Sequence, residues 1–428
     1  MSIPLDRLYN YINSISDKIR GGSNSIYRFT PDGSKKIEDL VCLTDLTEEQ
    51  LFLNPEIYCN DQEPLNYDLY ETDFTRALQT PEILEALARK NITFPKLNFR
   101  GQVISIWDQA LLLHSEQRST QVNRYRATQF IPVYYWCHAI IALDWFRYAE
   151  YVKQEKKVNK TFLIYNRAWS GTREYRLRFA ELLIDLNLPE QCKTSVNPIE
   201  PELGIHYETH QFKNSTWRPQ TVLENYFPIS NAHSHYSADF DIEDYESTDI
   251  EVVLETLFDD NRLHLTEKSL RPIACGQPFI LAGTPGSLEY LRSYGFKTFG
   301  VVWDESYDLV EDPAERLIQI AELMKYISNW LPHQRERNMA EAQEIANYNK
   351  QHFFSKEFFN LVSNELETNL TTAFTELENT NAADGFLHRY NVFVSDPELD
   401  QLTKPFKKRE TVALMLSKAQ LYNNRHRN

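Results

Sequence analysis

Between residues 161 and 331, short apolar runs alternate with stretches whose apolar residues recur at helical spacing. This alternation limits the chain to few folds. The runs TFLIYNR (161–167), IEVVLET (250–256), PFILAG (278–283) and FGVVW (299–303) read as strands. They are apolar throughout rather than at every second position, as strands buried on both faces are. The first is followed by SGTREYRLRFAELLIDLNL (170–188), where Leu177, Phe179, Ala180, Leu183 and Ile184 suit an amphipathic helix. Further helices are expected over SLEYLRSYG (287–295) and PAERLIQIAELMKYISNWL (313–331). Strand, loop and helix repeated in this way predict an α/β protein whose parallel sheet is covered on both faces, opening as a Rossmann-like unit does.

A charged break, EKKVNK (155–160), separates this region from a segment of different texture and reads as an interdomain linker. Before it lie a strand-like piece, Val103 to Trp107, and the aromatic run YYWCHAIIALDWFRYAEYV (134–152). Trp136, Ile140, Leu143 and Ala149 of that run recur at helical spacing, which predicts a largely buried helix. Residues 236–251, YSADFDIEDYESTDIE, are densely acidic and read as a solvated loop. Beyond about residue 335 the sequence is helix-rich and ends in basic pieces, KPFKKRE and RHRN. The expected organisation is a lobe over 1–155, a second over 156–332 and a helical C-terminal extension over 333–428.

Composition removes several classes of function. With 45 Lys plus Arg against 61 Asp plus Glu, the net charge of −16 argues against generic nucleic-acid binding, which draws its affinity from clustered cations. Glycine is scarce, at 12 residues, and neither common glycine-rich nucleotide loop occurs. The five cysteines are scattered without a C-x-x-C pair and read as free thiols in a reducing compartment. The opening MSIPLDRLYNYINS lacks secretory-signal features, and no apolar stretch reaches the length of a membrane helix. A soluble, cytoplasmic protein is expected.

Three stretches concentrate charge. In YCNDQEPLNYDLYE (58–71), Asp61 and Glu63 sit two apart beyond a strand, either as a general base and its neighbour or as a solvated turn. In NRAWSGTREYRLR (166–178), Arg173 and Arg176 stand near a helix start, either as a phosphate site or as an exposed basic face. In LETLFDDNRLHLTEKSLRPIACGQPFILAG (254–283), Thr266 and Ser269 are both plausible helix caps, and Pro272 favours Ser269 by falling in the first turn of a helix begun there. Glu267 and Lys268 then read either as ribose and diphosphate contacts or as two exposed charges.

Taken in order, these stretches resemble the family 10 glycosyltransferases, the α-1,3-fucosyltransferases. YCNDQEPLNYDLYE lies without a gap on the family's Y-x-G-E-N-E-x-P-N-F-N segment, so its catalytic base falls by position on Asp61 and the second acid on Glu63. R-L-R-F-A-E-L-L resembles the helix whose first Arg binds the donor phosphates, here Arg176, with Asn166 at the preceding strand end and Arg173 close by. L-E-T…H-L-T-E-K resembles the nucleotide-holding signature, giving Glu255, His264, Thr266, Glu267 and Lys268. Asp61 stands where the family has Glu, and His264 where it has Tyr. The resemblance spans about residues 58 to 285. It implies a GT-B architecture of two Rossmann-like lobes facing a cleft, an acceptor on the first and a GDP-linked sugar such as GDP-fucose on the second. It also implies inverting, metal-independent transfer to a glycan hydroxyl, with no cofactor beyond the nucleotide sugar.

Other features rank lower. His233 with His235, and His206 with His210, have spacings that zinc sites use but lack evident supporting ligands, so no metal is expected. His114 and Glu116 read either as acceptor contacts or as a plain strand-end loop, and Asp304 and Glu305 follow an expected strand. Two further functions stay open. One is a glycosyltransferase acting on modified bases in DNA, with the basic C-terminal pieces as its footing. The other is a carbohydrate-binding relative without catalysis.

Overall fold

The computed structural model describes residues 25–27, 56–60, 81–90, 96–99, 102–105, 110–115, 117–118, 130–146, 149, 155–201, 203–229, 240–379 and 396–403. Two compact units share these residues. Those from 138 to 362 form one; those up to 137, together with those from 363 onward, form the other. The boundary falls inside the aromatic run rather than at the 155–160 break, and the described residues from 363 to 403 belong with those from 25 to 137.

The first unit holds β1 (Ser25–Tyr27), β2 (Glu56–Asn60), α1 (Pro81–Arg89), β3 (Lys96–Phe99), β4 (Gln102–Ser105), β5 (Ala110–His114) and β6 (Phe130–Tyr134). Strands β1, β2, β5 and β6 lie in that order in a parallel sheet, while β3 and β4 form an antiparallel pair. Helix α1 buries Ile83, Ala86 and Leu87, an i, i+3, i+4 stripe, and begins on Pro81, where a missing N–H costs nothing. Helix α2 (Cys137–Trp145) leads out of this unit.

The second unit is a doubly wound sheet. It comprises β7 (Lys160–Ile164), α3 (Tyr175–Asp185), β8 (Cys192–Thr194), α4 (Ile242–Glu246), β9 (Thr248–Leu254), α5 (Glu267–Cys275), β10 (Phe279–Ala282), α6 (Ser287–Ser293), α7 (Pro313–Ser328) and α8 (Pro332–Phe353). All four strands are parallel in the order β10, β9, β7, β8, so the winding direction reverses between β7 and β9. Phe162, Leu163, Ile164, Ile250, Val252, Val253, Phe279, Ile280 and Leu281 are buried, which is why these strands read as unbroken apolar runs. Helix α3 closes on Asn187 at φ 55, with Asn187 N–H donating to Ile184 O (2.9 Å) and Leu188 N–H to Leu183 O (2.8 Å). That is a Schellman closure on a residue type that tolerates the left-handed region. Helix α9 (Lys356–Asn379) passes back to the first unit, where Asn369 Nδ2 donates to Tyr134 O (2.6 Å). Finally α10 (Pro397–Thr403) lies against α1, with Lys90 Nζ 2.7 Å from Asp396.

The α/β reading and the helical C-terminal region are what the fold shows. Three local readings differ. FGVVW (299–303) is a set of turns, because Glu305 accepts the Phe299 N–H (2.7 Å) and Phe299 stacks on Trp303 (4.8 Å between centroids). Within the acidic stretch, Asp241 caps α4 through the Glu243 N–H (3.0 Å), and Glu251 is buried in β9 against Arg271 and Tyr245. Helix α5 begins after Thr266, which accepts the Lys268 N–H, and carries Pro272 in its interior, so Ser269 is not the cap.

Candidate functional site

Ligands of open parallel sheets sit beyond the carboxyl ends of the strands, at the point where the winding reverses. In the second unit that point lies past Ile164 of β7 and Leu254 of β9. Arg176, in the first turn of α3, ties the two ends together. Its Nη1 donates to Ala168 O (2.7 Å) and its Nη2 to Leu254 O (2.6 Å) and Glu255 O (3.2 Å). The side chain is buried, and loss of water pulls its pKa downward. Its Nε meets no acceptor among the described residues. Asn166, just past β7, is 6% exposed, and its Oδ1 meets no donor among them. Arg173, half-buried, donates from Nε to Ser170 O (3.2 Å).

Past β9 the sequence-predicted residues come together. Glu255 has no exposure, and both its oxygens are taken: Oε1 accepts from Thr266 N–H (3.0 Å), Ser269 N–H (3.2 Å) and Ser269 Oγ (2.5 Å). Oε2 accepts from Thr256 N–H (3.1 Å) and Thr266 Oγ1 (2.7 Å). A carboxylate at the positive end of α5 satisfies the N–H groups that the helix leaves over. This is why α5 starts at Thr266 in spite of Pro272.

Lys268 turns inward. Its Nζ donates to Thr256 Oγ1 (3.2 Å), Thr266 Oγ1 (3.3 Å) and Glu267 Oε1 (3.0 Å). The side chain keeps 12% of its exposure, and burial lowers its pKa. Glu267 is 1% exposed, and its other oxygen lies 3.1 Å from Nδ1 of His138 on α2. His264 meets the His138 ring edge-on at 5.2 Å between centroids.

The neighbouring strand ends repeat one device. Past β7, Glu200 accepts the N–H groups of Trp169 (2.7 Å) and Ser170 (2.9 Å). Past β10, Asp308 accepts the N–H of Leu288 in the first turn of α6 (3.1 Å), and burial raises its pKa to about 6. Arg316 plays the part of Arg176 there, donating to the carbonyls of Gly283 (3.2 Å) and Phe258. Three positions that commonly seat phosphate oxygens thus hold carboxylates of the chain itself. Glu200, Asp308 and His138 carried no sequence signal for this, because each partner lies far away along the chain.

Asp61, Glu63 and Glu116 lie outside the described residues, as do His233 and His235. The backbone puts His114 at the carboxyl end of β5, in register with Asn60 of β2, which directly precedes Asp61 in sequence. His206 Nε2 lies 3.3 Å from Glu224 and His210 Nε2 2.8 Å from Glu174. Asp304 accepts the Ser306 N–H of its own turn (2.9 Å). No group of three or more metal-ligating side chains occurs among the described residues, and no helix among them is long and apolar enough to cross a membrane.

No family model matches the chain, and no curated protein matches it. A solved structure of a mutant of T4 phage BGT in complex with UDP-glucose is similar to 85% of this chain over 92% of its own. The identity is 11% and the TM-score 0.39.

Proposed function

We propose that this protein is a glycosyltransferase of the GT-B kind that takes its sugar from a nucleotide donor held by the 138–362 unit. The observation that carries the reading is the pair of buried, unmet polar groups at the winding reversal, Asn166 Oδ1 and Arg176 Nε, together with Lys268 turned inward past β9 onto the Thr256 hydroxyl. Buried polar groups are rarely left without partners, and a ligand entering the strand ends would supply both a donor and an acceptor. An anionic phosphate oxygen is a stronger acceptor than a threonine hydroxyl. It would take the place of one hydroxyl on Lys268, whose ammonium would offset the negative charge that the leaving diphosphate gains.

The finer reading follows the family 10 resemblance. The donor is a GDP-linked sugar such as GDP-fucose, the transfer inverts the anomeric centre, and no metal takes part. Asp61, or Glu63 beside it, removes the proton of an acceptor hydroxyl. That oxygen then bonds to the anomeric carbon as the carbon–oxygen bond to the diphosphate breaks through an oxocarbenium-like state. His114 and Glu116 belong to the acceptor side. In this reading Glu255 shapes the donor site rather than touching the donor, since both its oxygens are committed to the fold, while Arg176, whose Nη atoms hold backbone carbonyls, has Nε left for the donor. The test is release of nucleoside diphosphate from GDP-fucose, GDP-mannose and UDP-glucose in the presence of a mixed glycan panel. GDP release with GDP-fucose is expected; no release from any donor overturns the reading.

A second reading, a carbohydrate-binding relative that takes no donor, is favoured by the carboxylates of Glu200, Glu255 and Asp308 in the three phosphate-like seats. Glycan binding without affinity for any nucleoside diphosphate would decide for it.

A further inference from the structure

The acid–base cluster at the start of α5 contains one residue that the donor-site reading leaves without a role. His138 comes from α2, outside all three sequence stretches, yet it is 2% exposed and its Nδ1 lies 3.1 Å from one oxygen of a carboxylate whose other oxygen accepts from Lys268. Glu267 has two oxygens and two cation-forming neighbours, one on each: His138 Nδ1 at 3.1 Å and Lys268 Nζ at 3.0 Å. A glutamate side chain has three rotatable bonds, and its carboxylate stays in one orientation only when both ends are held. The imidazole is itself backed by the His264 ring at 5.2 Å, so His138 is set between an aromatic edge and a carboxylate.

We propose that His138 is a positioning residue for Lys268, acting through Glu267, and that the ligand class it serves is a diphosphate. This rests on the donor-site reading above and adds a residue to it. With His138 on Oε2, the Oε1 atom stays under the Lys268 ammonium, which then faces Thr256 and Thr266, the two hydroxyls a phosphate oxygen can replace. Besides Glu267, the charges among the described residues that bear on Lys268 are Glu255, whose oxygens are filled by N–H and O–H donors, and Arg176 beyond it. Neither contests Oε2 of Glu267. Without His138 the Glu267 carboxylate can rotate, and the ammonium loses the anchor that aims it.

The experiment is a double-mutant cycle read by calorimetric titration, with inorganic pyrophosphate and GDP as probes and guanosine as the control that carries no phosphate. His138→Ala should weaken pyrophosphate and GDP binding about tenfold, the scale of losing one close charge contact, and leave guanosine unchanged. In the Lys268→Ala background the same substitution should cost nothing further, because the residue acts only through Lys268. Glu267→Gln, which keeps volume and one carbonyl oxygen, should reproduce the loss and the coupling if His138→Ala folds poorly. A tenfold loss that persists in the Lys268→Ala background overturns the inference, since a general packing defect behaves that way. Undiminished binding in His138→Ala or Glu267→Gln also overturns it while leaving the donor-site reading intact. If the unaltered protein binds neither pyrophosphate nor GDP, the donor-site reading and this inference fall together.

Discussion

Replacing Glu255 by Ala separates a structural acid from a ligand-holding one. Its carboxylate accepts three backbone N–H groups, those of Thr256, Thr266 and Ser269, at 3.0 to 3.2 Å, and it has no exposure to water. The substitution strands these three donors in a dry site, at about 1–3 kcal/mol each. The threonine and serine hydroxyls can rotate to other acceptors, and a water can enter the vacated volume, which brings the sum toward its lower end, about 4 kcal/mol. Domains of this size shift by about 2–4 °C per kcal/mol, so a fall of about 8–16 °C in melting temperature is expected. The assay is paired: melting by calorimetry, and GDP affinity measured well below the new transition. If Glu255 instead grips the ribose, stability would barely change while affinity collapsed. A melting shift under about 2 °C would refute the capping argument.

Lys268→Ala should weaken GDP binding by about 10²-fold, as loss of a preorganised cationic donor does, and equal affinity by titration would remove Lys268 from the site. Asp61→Asn should lower turnover by about 10²- to 10⁴-fold with donor affinity unchanged, and Glu63→Gln by much less; the reverse ranking in a transfer assay would exchange their roles. Asp308 is pushed by burial to about 6, against about 3.9 for a free carboxyl, so the folded state binds the extra proton between those values. Stability should therefore fall by about 3 kcal/mol as pH rises from 4 to 6, two pKa units at about 1.4 kcal/mol each. Asp308→Asn, which keeps an oxygen for the Leu288 N–H, should flatten that part of the urea-midpoint profile, and an unchanged slope would contradict the assignment.

Strands β7, β9 and β10 were legible because a parallel sheet buries both faces, and burial of Phe162, Val252 or Ile280 writes itself as an apolar run. Helix α7 was legible as the stretch 313–331, in which Leu317, Ile320, Ala321 and Met324 are buried along one side. FGVVW misled because Phe299 and Trp303 are apolar for the sake of a stacked turn, not a strand. The acidic stretch misled because Glu251 is paired inside the sheet with Arg271, twenty positions away, which composition cannot register. The same holds for the site. The cluster of Glu255, Thr266, Glu267 and Lys268 was visible as a local pattern, whereas Glu200 reaches Trp169 across 31 positions of sequence and His138 reaches Glu267 across 129. Periodicity reports which face of an element is buried; it does not report which distant carboxylate fills a helix end.

The central claim, that the 138–362 unit holds a nucleoside diphosphate at its winding reversal, is tested most directly by a nucleotide panel read as thermal stabilisation. GDP, UDP, ADP and CDP would each be titrated to millimolar concentration against the full chain. A ligand that binds only the folded state adds about 2.7 kcal/mol at 100 times its Kd. GDP should raise the melting temperature in a saturable manner, more than the other three, and the rise should disappear in Lys268→Ala. A flat response to all four nucleotides would contradict the claim.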